Sequence, residues 1–522
     1  MPILTFSNMR FSKIITKYTI FLLIIIGVTI GIRFYFFPLD VPLTADALYY
    51  FWYSSDIYQI GELPKEWTPT NNGWPIFVSI FFTIFDSKDI FTLMQIQRLL
   101  SVLASILIII PTYFLCKKFV TRKFAIIGAS FVAFDPRLMI NSFLGATDPI
   151  YLLLITMSLT LFLFSNKKIV YFSFVLVALA TIIRAEGLAF FVVLSVIFLI
   201  RYRKEKYKVF FKYLLVLGIF ILIILPVSFY QIEVTGSDGI FMRNFKSGNY
   251  LVEHVVSNDS RNDIIDGLEL FIKYLVWVMI PNFIIFIPLG LFLIFQRRNF
   301  EKNTIILSLG IMSIPVLYAY TISAAQDTRY LYVLFPMFSV LAVLSIEKIS
   351  HKLNKPDILV FVIISAIIVT SVLFYDQQKI DYKHERESFE IMEKISSMVK
   401  GTNVLYQESN YFKTIQTIEQ WPNTYTEMAL EEKFDIITIP TKNFNSLENY
   451  IIESKDKELT HIMVDGKKGR QSFLVGVFDN ESNYPYLKKI YDSKIDGFVY
   501  HVKVFKIDYE LFDSLKVNVG SK

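Results

Sequence analysis

A loop rich in carboxylates and aromatic rings, residues 37–75, carries the side chains of this sequence that are best suited to chemistry. It contains five acidic residues and one lysine, Lys65, and the acids are Asp40, Asp46, Asp56, Glu62 and Glu66. A carboxylate can take or orient the proton of an attacking hydroxyl group. Such a loop beside a hydrophobic run indicates a reaction or recognition site at a membrane surface.

Asp46 stands near the start of a segment, 44–61, that is predicted to form a helix along the outer membrane surface and to end at Gly61. Spacings of three and four residues put the side chains of one face together, namely Asp46, Tyr49, Tyr50, Tyr53 and Ile57. A purely structural interpretation also fits, because the helix dipole favours an acid in the first turn and because aromatic rings collect at membrane interfaces. The segment alone leaves both interpretations open.

Four other charged residues are candidates for the same site. Asp148 precedes a proline at the start of an apolar run, where an ordinary helix N-cap would look the same. Arg184 and Glu186 mark a hairpin between two apolar runs and could simply pair with each other. Arg329, followed by Tyr330, is suited either to anchoring at the interface or to binding an anion.

The composition of the chain indicates which class of protein holds these residues in position. Its 522 residues are 54% hydrophobic, with a mean hydropathy of +0.48 and 50 Phe, which is typical of a polytopic membrane protein. The first 375 residues carry 32 basic and 22 acidic side chains, and the rest carries 20 and 24. The basic excess therefore belongs to the membrane part, where it reports topology and not nucleic-acid binding. The single cysteine, Cys116, excludes a disulfide within the chain.

A membrane-crossing helix needs about 20 largely apolar residues, and we count about eleven candidates. They lie near 14–36, 97–116, 123–141, 148–165, 169–185, 187–201, 209–230, 269–295, 304–323, 330–347 and 357–375. The stretch 74–85 is too short to cross and is predicted to be an interfacial or re-entrant helix. Basic residues recur on alternate loops, which predicts a cytoplasmic N-terminus and a multi-pass protein of the cell membrane. The loops 37–75 and 231–268 then face outward.

The chain is predicted to have two domains, residues 1–375 in the membrane and residues 376–522 outside the cytoplasm. Candidate strands at 403–406, 434–439, 461–464 and 500–507 alternate with helical stretches near 385–400, 410–420 and 445–455, which indicates a small α/β domain. The predicted fold class is thus an α-helical polytopic membrane protein with a C-terminal extracytoplasmic α/β domain. On this topology Asp46, Asp148, Arg184, Glu186, Asp327 and Arg329 all reach the outer face, where they could form a polar cavity.

The order of these features resembles the GT-C superfamily, whose members transfer sugars from polyprenyl-phosphate carriers. The likeness is nearest to protein O-mannosyltransferases and lipid A aminoarabinose transferases. It rests on an Asp-x-x-Tyr pair after the first span and on later landmarks; the matching positions are Asp46, Tyr49, Gly61, Asn72, Gly73, Pro75, Phe85, Asp148, Arg329, Tyr330 and Pro336. Two positions depart from the pattern, since Ala47 replaces the usual Glu and Asp86 replaces the Gly that follows Phe85.

The resemblance implies transfer of a sugar from a dolichyl- or polyprenyl-phosphate carrier to a hydroxyl group of a protein, glycan or lipid outside the cytoplasm. Asp46 is the candidate base, and Asp148 is a second acid that positions the acceptor or holds a divalent cation. Arg329 or Arg184 would meet the leaving phosphate, with Tyr49, Glu186 and Tyr330 as further substrate-binding residues. Only carboxylates and His254 are available as metal ligands, so Mg or Mn is favoured over zinc if any ion binds.

Two other functions use the same residues differently. A transporter or flippase for a lipid-linked saccharide would share the polar cavity but would need no base. Transporters more often place such groups near the bilayer midplane, within broken helices of repeated halves, and the sequence shows neither feature. An inactive scaffold would depend on the C-terminal domain as a partner-binding module and would tolerate the loss of Asp46.

Overall fold

The structure is a computed structural model that describes residues 17–65, 67–164, 167–242, 261–296, 298–321, 327–351, 356–378, 381–400, 414–416, 437–438, 444–456, 459–466 and 471–519. The chain divides into two compact units. The first comprises Met1–Pro38 with Asp46–Lys379, and the second comprises Leu39–Ala45 with Ile380–Lys522. Glu66, His254 and the predicted strand at 403–406 lie outside the described residues.

The first unit is helical throughout its described part. Its helices are α1 (Lys17–Tyr35), α2 (Ala45–Ile60), α3 (Gly73–Phe85), α4 (Ile90–Leu107), α5 (Ile109–Cys116), α6 (Arg122–Ala133), α7 (Pro136–Phe143), α8 (Asp148–Phe162), α9 (Lys167–Ile183), α10 (Gly187–Tyr202), α11 (Lys208–Thr235), α12 (Arg261–Met279), α13 (Ile287–Phe295), α14 (Phe300–Thr321), α15 (Phe335–Ser350) and α16 (Pro356–Gln377). A 3-10 turn, Arg329–Leu334, leads directly into α15.

Fewer helices than predicted are long enough to cross a membrane. Within the described residues six spans meet the requirements of length and apolar composition, or seven if the bent pair α6 and α7 is one span. Three further apolar helices are shorter, Gly73–Phe85, Asp148–Phe162 and Lys168–Ile183. The chain is therefore a membrane protein by its apolar helices, and the predicted number of eleven spans is not confirmed.

Two predicted spans are interrupted for visible reasons. The span at 123–141 bends by 46° between α6 and α7, where Asp135 accepts hydrogen bonds from the N–H groups of Arg137 and Leu138, both at 3.0 Å. Pro136 follows Asp135 as the first residue of α7, a position that proline favours. The span at 269–295 is broken by turns between Met279 and Ile287, where Pro281 has no N–H group to continue a helix.

The acidic loop forms two helices, as expected for α2 and for the short apolar helix α3. Gly61 ends α2 with a positive φ of 78°, and its N–H donates to the Ile57 carbonyl at 2.9 Å. Gly73 lets α3 approach the end of α9, because a Cβ there would lie 2.6 Å from Ile182 Cγ2 and 2.9 Å from the Ile182 carbonyl carbon. Close packing against the end of α9 thus explains Gly73, the second residue of the Asn-Gly pair of the motif.

Asp86 explains one of the two departures from the family pattern. It takes the left-handed conformation (φ 44°, ψ 46°) at the end of α3, which glycine adopts without strain and which Asp tolerates better than most residues. Its carboxylate accepts a hydrogen bond from the Tyr58 hydroxyl at 2.5 Å, which ties the ends of α2 and α3 together.

The second unit contains a five-stranded sheet with the order β2-β1-β3-β5-β4. The strands are β1 (Thr414–Gln416), β2 (Ile437–Thr438), β3 (His461–Asp465), β4 (Leu487–Asp492) and β5 (Val502–Ile507), and the helices are α17 (Lys383–Lys400), α18 (Leu447–Lys455), α19 (Ser472–Asp479) and α20 (Tyr509–Val519). Strands β1, β2 and β3 run parallel, while β5 is antiparallel to both β3 and β4. The small α/β character is confirmed, but the predicted helix at 410–420 is wrong at 414–416, which form a strand.

Candidate active site

Asp46 and Arg329 form an ion pair although 283 positions separate them in the chain. The Arg329 Nη1 atom lies 2.7 Å from Asp46 Oδ2, and its Nε atom lies 3.2 Å from Asp327 Oδ2. The backbone N–H of Arg329 also donates to Asp327 Oδ1 at 2.9 Å. One guanidinium is thereby held between two carboxylates, and the Asp46 side chain remains 53% exposed.

A second and more deeply buried ion pair joins Asp148 to Arg184. Their side chains are 8% and 12% exposed, and the Arg184 Nη1 atom donates to Asp148 Oδ1. Asn141 Nδ2 donates to the other oxygen of Asp148 at 3.3 Å, and Arg184 Nη2 lies 3.3 Å from Glu186 Oε1. The carboxylate of Asp148 thus serves a charged cluster and not the simple N-cap that its position before a proline suggested.

The ring of Tyr330 lies near the guanidiniums of both ion pairs, and the charges of both pairs act on Tyr50. The ring centroid of Tyr330 lies 5.5 Å from the Arg329 guanidinium carbon and 5.9 Å from that of Arg184, a distance at which a cation is attracted to the ring face. Burial raises the pKa of the Tyr50 hydroxyl. A hydrogen bond from Asn71 and the charge of Arg184 lower that pKa, and the charges of Asp46 and Asp148 raise it. Tyr50 therefore stays protonated at neutral pH and lies within the electrostatic reach of both pairs.

Side chains of helix α4 form hydrogen bonds with both segments that carry the aspartates. The buried Gln97 Nε2 donates to the Ala47 carbonyl at 2.8 Å and to the Gly145 carbonyl at 2.9 Å. Arg98, next along the helix, donates to the Phe143 carbonyl at 2.7 Å. Trp74 Nε1 of α3 reaches the same Gly145 carbonyl at 3.1 Å. A single amide side chain thus fixes the starts of α2 and α8 relative to each other.

The structure brings together six of the seven residues that the sequence proposed for the site: Asp46, Asp148, Arg184, Glu186, Arg329 and Tyr330. Tyr49, the seventh, packs instead against Trp67, with ring centroids 5.2 Å apart, and is 43% exposed. Sequence reasoning left Tyr50, Asn141 and Gln97 without a role. Gln97 and Arg98 had a visible signal, because polar residues at the edge of an apolar run need partners within the protein.

The described residues of the site offer no preformed set of ligands for a divalent cation. Four carboxylates, of Asp46, Asp148, Glu186 and Asp327, face two guanidiniums. Each carboxylate contacts a guanidinium, and the described residues contain no group of three or more His, Cys, Asp or Glu side chains arranged to hold a metal ion. Because every carboxylate of the described site is already paired with a guanidinium, these residues do not fit the Mg or Mn ion that the sequence left open, and we derive no step through a metal.

Comparisons with known proteins agree with this architecture at the level of the fold. No family model and no curated protein matches the sequence. Solved structures do match, and the chain shares the fold of an archaeal oligosaccharyltransferase and of ArnT, two members of the superfamily that the sequence resembles.

Two proteins represent these matches. The apo oligosaccharyltransferase of Archaeoglobus fulgidus aligns with a TM-score of 0.59 at 12% identity, over 91% of this chain and 73% of its own. The same enzyme, AglB, with an inhibitory peptide and a dolichol-phosphate gives 0.56 at 13% identity, over 90% and 72%. ArnT from Cupriavidus metallidurans bound to undecaprenyl phosphate gives 0.56 at 9% identity, over 94% and 98%.

Proposed function

We propose that this protein is a membrane glycosyltransferase that moves a sugar from a polyprenyl- or dolichyl-phosphate carrier to a hydroxyl acceptor on a protein, glycan or lipid. The observation that carries the proposal is the pairing of Asp46 with Arg329 beside the pair of Asp148 with Arg184, around the Tyr330 ring. Acids and guanidiniums from distant parts of the chain meet in a GT-C fold. Neighbours with this fold were solved with dolichol-phosphate and undecaprenyl phosphate.

The chemistry follows from what each group can do. The acceptor oxygen attacks the anomeric carbon while the carrier phosphate leaves, and Asp46, the exposed carboxylate, takes or orients the acceptor proton. A single displacement of this kind inverts the anomeric centre. The leaving phosphate gathers negative charge, which the planar fork of Arg329 or Arg184 meets with paired hydrogen bonds. In this proposal Asp148, held by Asn141 and Arg184, is the second acid and orients the acceptor.

We further propose a location for the protein and for its site. The alternation of basic loops supports a multi-pass protein of the cell membrane, with a cytoplasmic N-terminus and with the site and residues 376–522 on the extracytoplasmic side. Cysteine-accessibility labelling at position 62, in the acidic loop, tests this topology, and reaction only from the cytoplasmic side would overturn it.

An assay on the full-length protein in lipid nanodiscs tests the activity. Polyprenyl-phosphate mannose and polyprenyl-phosphate glucose serve as donors, with a serine peptide, a trisaccharide and a lipid extract as acceptors. A transferase releases polyprenyl phosphate and labels an acceptor. A transporter or flippase does neither, but moves the lipid-linked sugar across a vesicle. A scaffold transfers no sugar in this assay, and the function that it serves in the cell is the same when Asp46 becomes Asn.

A further inference from the structure

An aromatic platform, formed by α2 and the segment that follows it, lies beside Asp46, and its rings take no part in the chemical step described above. We define it as Tyr49, Tyr53 and Trp67. The Trp67 ring centroid lies 5.2 Å from that of Tyr49 and 5.0 Å from that of Tyr53, the latter at an interplanar angle of 79°. Tyr53 is buried, Tyr49 is 43% exposed and Trp67 is partly exposed. The platform therefore offers two ring surfaces to a ligand and a third ring as support.

Hydrogen bonds keep the platform rigid. Trp67 Nε1 donates to Asp56 Oδ2 at 2.7 Å, which fixes the indole against α2. The Tyr53 and Tyr230 hydroxyls lie 2.7 Å apart, and the Tyr230 hydroxyl donates to the Pro64 carbonyl. Rings ordered in this way lose little entropy when a ligand binds.

The platform and the candidate base share one side of α2. Asp46, Tyr49, Tyr53 and Asp56 follow at spacings of three, four and three residues, so they form a stripe along the helix. A ligand that packs on Tyr49 extends within one helical turn of the exposed Asp46 carboxylate.

The chemistry of the stripe fits a sugar. The C–H face of a pyranose is apolar and weakly positive, so it packs against the negative face of an aromatic ring, while its hydroxyls donate to carboxylates such as those of Asp46 and Asp56. An isoprenoid chain on the same stripe would set hydrocarbon against two carboxylates, which is costly without a hydrogen-bonding partner. We propose that the platform is an acceptor subsite and that the acceptor is a saccharide, an inference that rests on the proposed function.

Ligand-observed saturation-transfer NMR on the full-length protein in nanodiscs, without donor, tests binding independently of activity. The probes are mannotriose, cellotriose and maltotriose, with a serine tripeptide for comparison. At least one trisaccharide should receive saturation at its C–H face. We expect Tyr49→Ala to lower that signal at least fivefold and Tyr49→Phe to retain it. Tyr207→Ala, which removes a tyrosine that is 71% exposed outside the platform, should leave it unchanged.

The outcomes separate the two proposals. Absence of binding by all three trisaccharides overturns the subsite, as does binding that Tyr49→Ala leaves intact. If the protein transfers sugar to the peptide or lipid with the same KM in wild type and Tyr49→Ala, the proposed function stands and the saccharide acceptor is wrong. If a trisaccharide binds through Tyr49 but no donor ever releases polyprenyl phosphate, the subsite stands and the transferase activity is wrong.

Discussion

At the scale of single residues, the excess of carboxylates means that a donor phosphate must compete for its guanidinium partners. Asp46 holds Arg329 in the structure, so changing Asp46 removes both a competitor and a negative charge. We expect Asp46→Asn to bind polyprenyl phosphate as tightly as wild type or more tightly, while the rate of transfer falls at least about a hundredfold through loss of the base. Equilibrium binding and single-turnover rates on the same preparation measure both quantities.

A nearby acid provides the control for this prediction. Glu62 lies in the same loop, 63% exposed and 3.6 Å from Lys65, so Glu62→Gln changes the charge of the loop without touching the ion pairs of Arg184 and Arg329. Its transfer rate should stay within about twofold of wild type, the scale of surface electrostatic effects. Equal losses in Asp46→Asn and Glu62→Gln would mean that loop charge, and not a base at position 46, drives the reaction.

Arg329 contacts Asp46 and Asp327 through two different nitrogens, which only a planar guanidinium can do. Lysine keeps the charge but loses this geometry, so Arg329→Lys should bind polyprenyl phosphate about tenfold more weakly and lower the transfer rate by a similar factor. Titration of the variant with polyprenyl phosphate measures the effect. Wild-type affinity in Arg329→Lys would assign the phosphate to another residue, such as Arg184.

At the scale of elements, the site depends on how α4 holds the starts of α2 and α8. Gln97→Leu removes the donor to the Ala47 and Gly145 carbonyls. We expect it to cost about 1–3 kcal/mol of stability through the loss of two buried hydrogen bonds, and to lower transfer at least tenfold because the two aspartates are no longer held in position relative to each other. Thermal unfolding and transfer rates measure the two effects separately.

Ser101 of the same helix serves as the comparison, because its hydroxyl makes only a 3.5 Å contact with the Ala146 carbonyl. Ser101→Ala should leave both stability and activity close to wild type. If Gln97→Leu were as active as Ser101→Ala, α4 would have no positioning role in the reaction.

The elements also show how far sequence reasoning reaches. Charge alternation, a local pattern, predicted that six charged residues would reach one membrane face: Asp46, Asp148, Arg184, Glu186, Asp327 and Arg329. The choice between Tyr49 and Tyr50 could not be made in this way, because adjacent residues of α2 point to different sides and packing decides which is buried. The strand at 414–416 was missed for a related reason: its pairing with His461 and Ile462 of β3 is a contact between distant parts of the chain.

At the scale of the whole molecule, the stability of the second unit should depend on pH through His461. This residue is fully buried on β3, opposite Lys506 on β5, and burial followed by the charge of Lys506 lowers its pKa to about 3. The unfolded chain takes up the proton near pH 6.5, so the folded unit loses stability as pH falls from about 6.5 towards 3, by up to about 1.4 kcal/mol per pH unit. Above pH 6.5 the effect is absent.

Hydrogen exchange of β3 and β5 in the full-length protein tests this dependence. His461→Gln removes the titrating group, and comparing variant with wild type at each pH cancels the intrinsic change in exchange rate. Protection in wild type should fall more than in the variant between pH 7 and pH 5. A parallel fall in both proteins would show that other groups control the acid sensitivity.

The measurement that tests the central claim most directly is the balance of products in one reaction. The full-length protein is incubated with an acceptor and with a polyprenyl-phosphate sugar that is labelled in both the lipid and the sugar. The two labels are then counted in separate products. We predict one polyprenyl phosphate released for each sugar transferred, with an inverted anomeric centre. Sugar that stays attached to its carrier while crossing the membrane, or release that Asp46→Asn does not slow, would contradict the assignment.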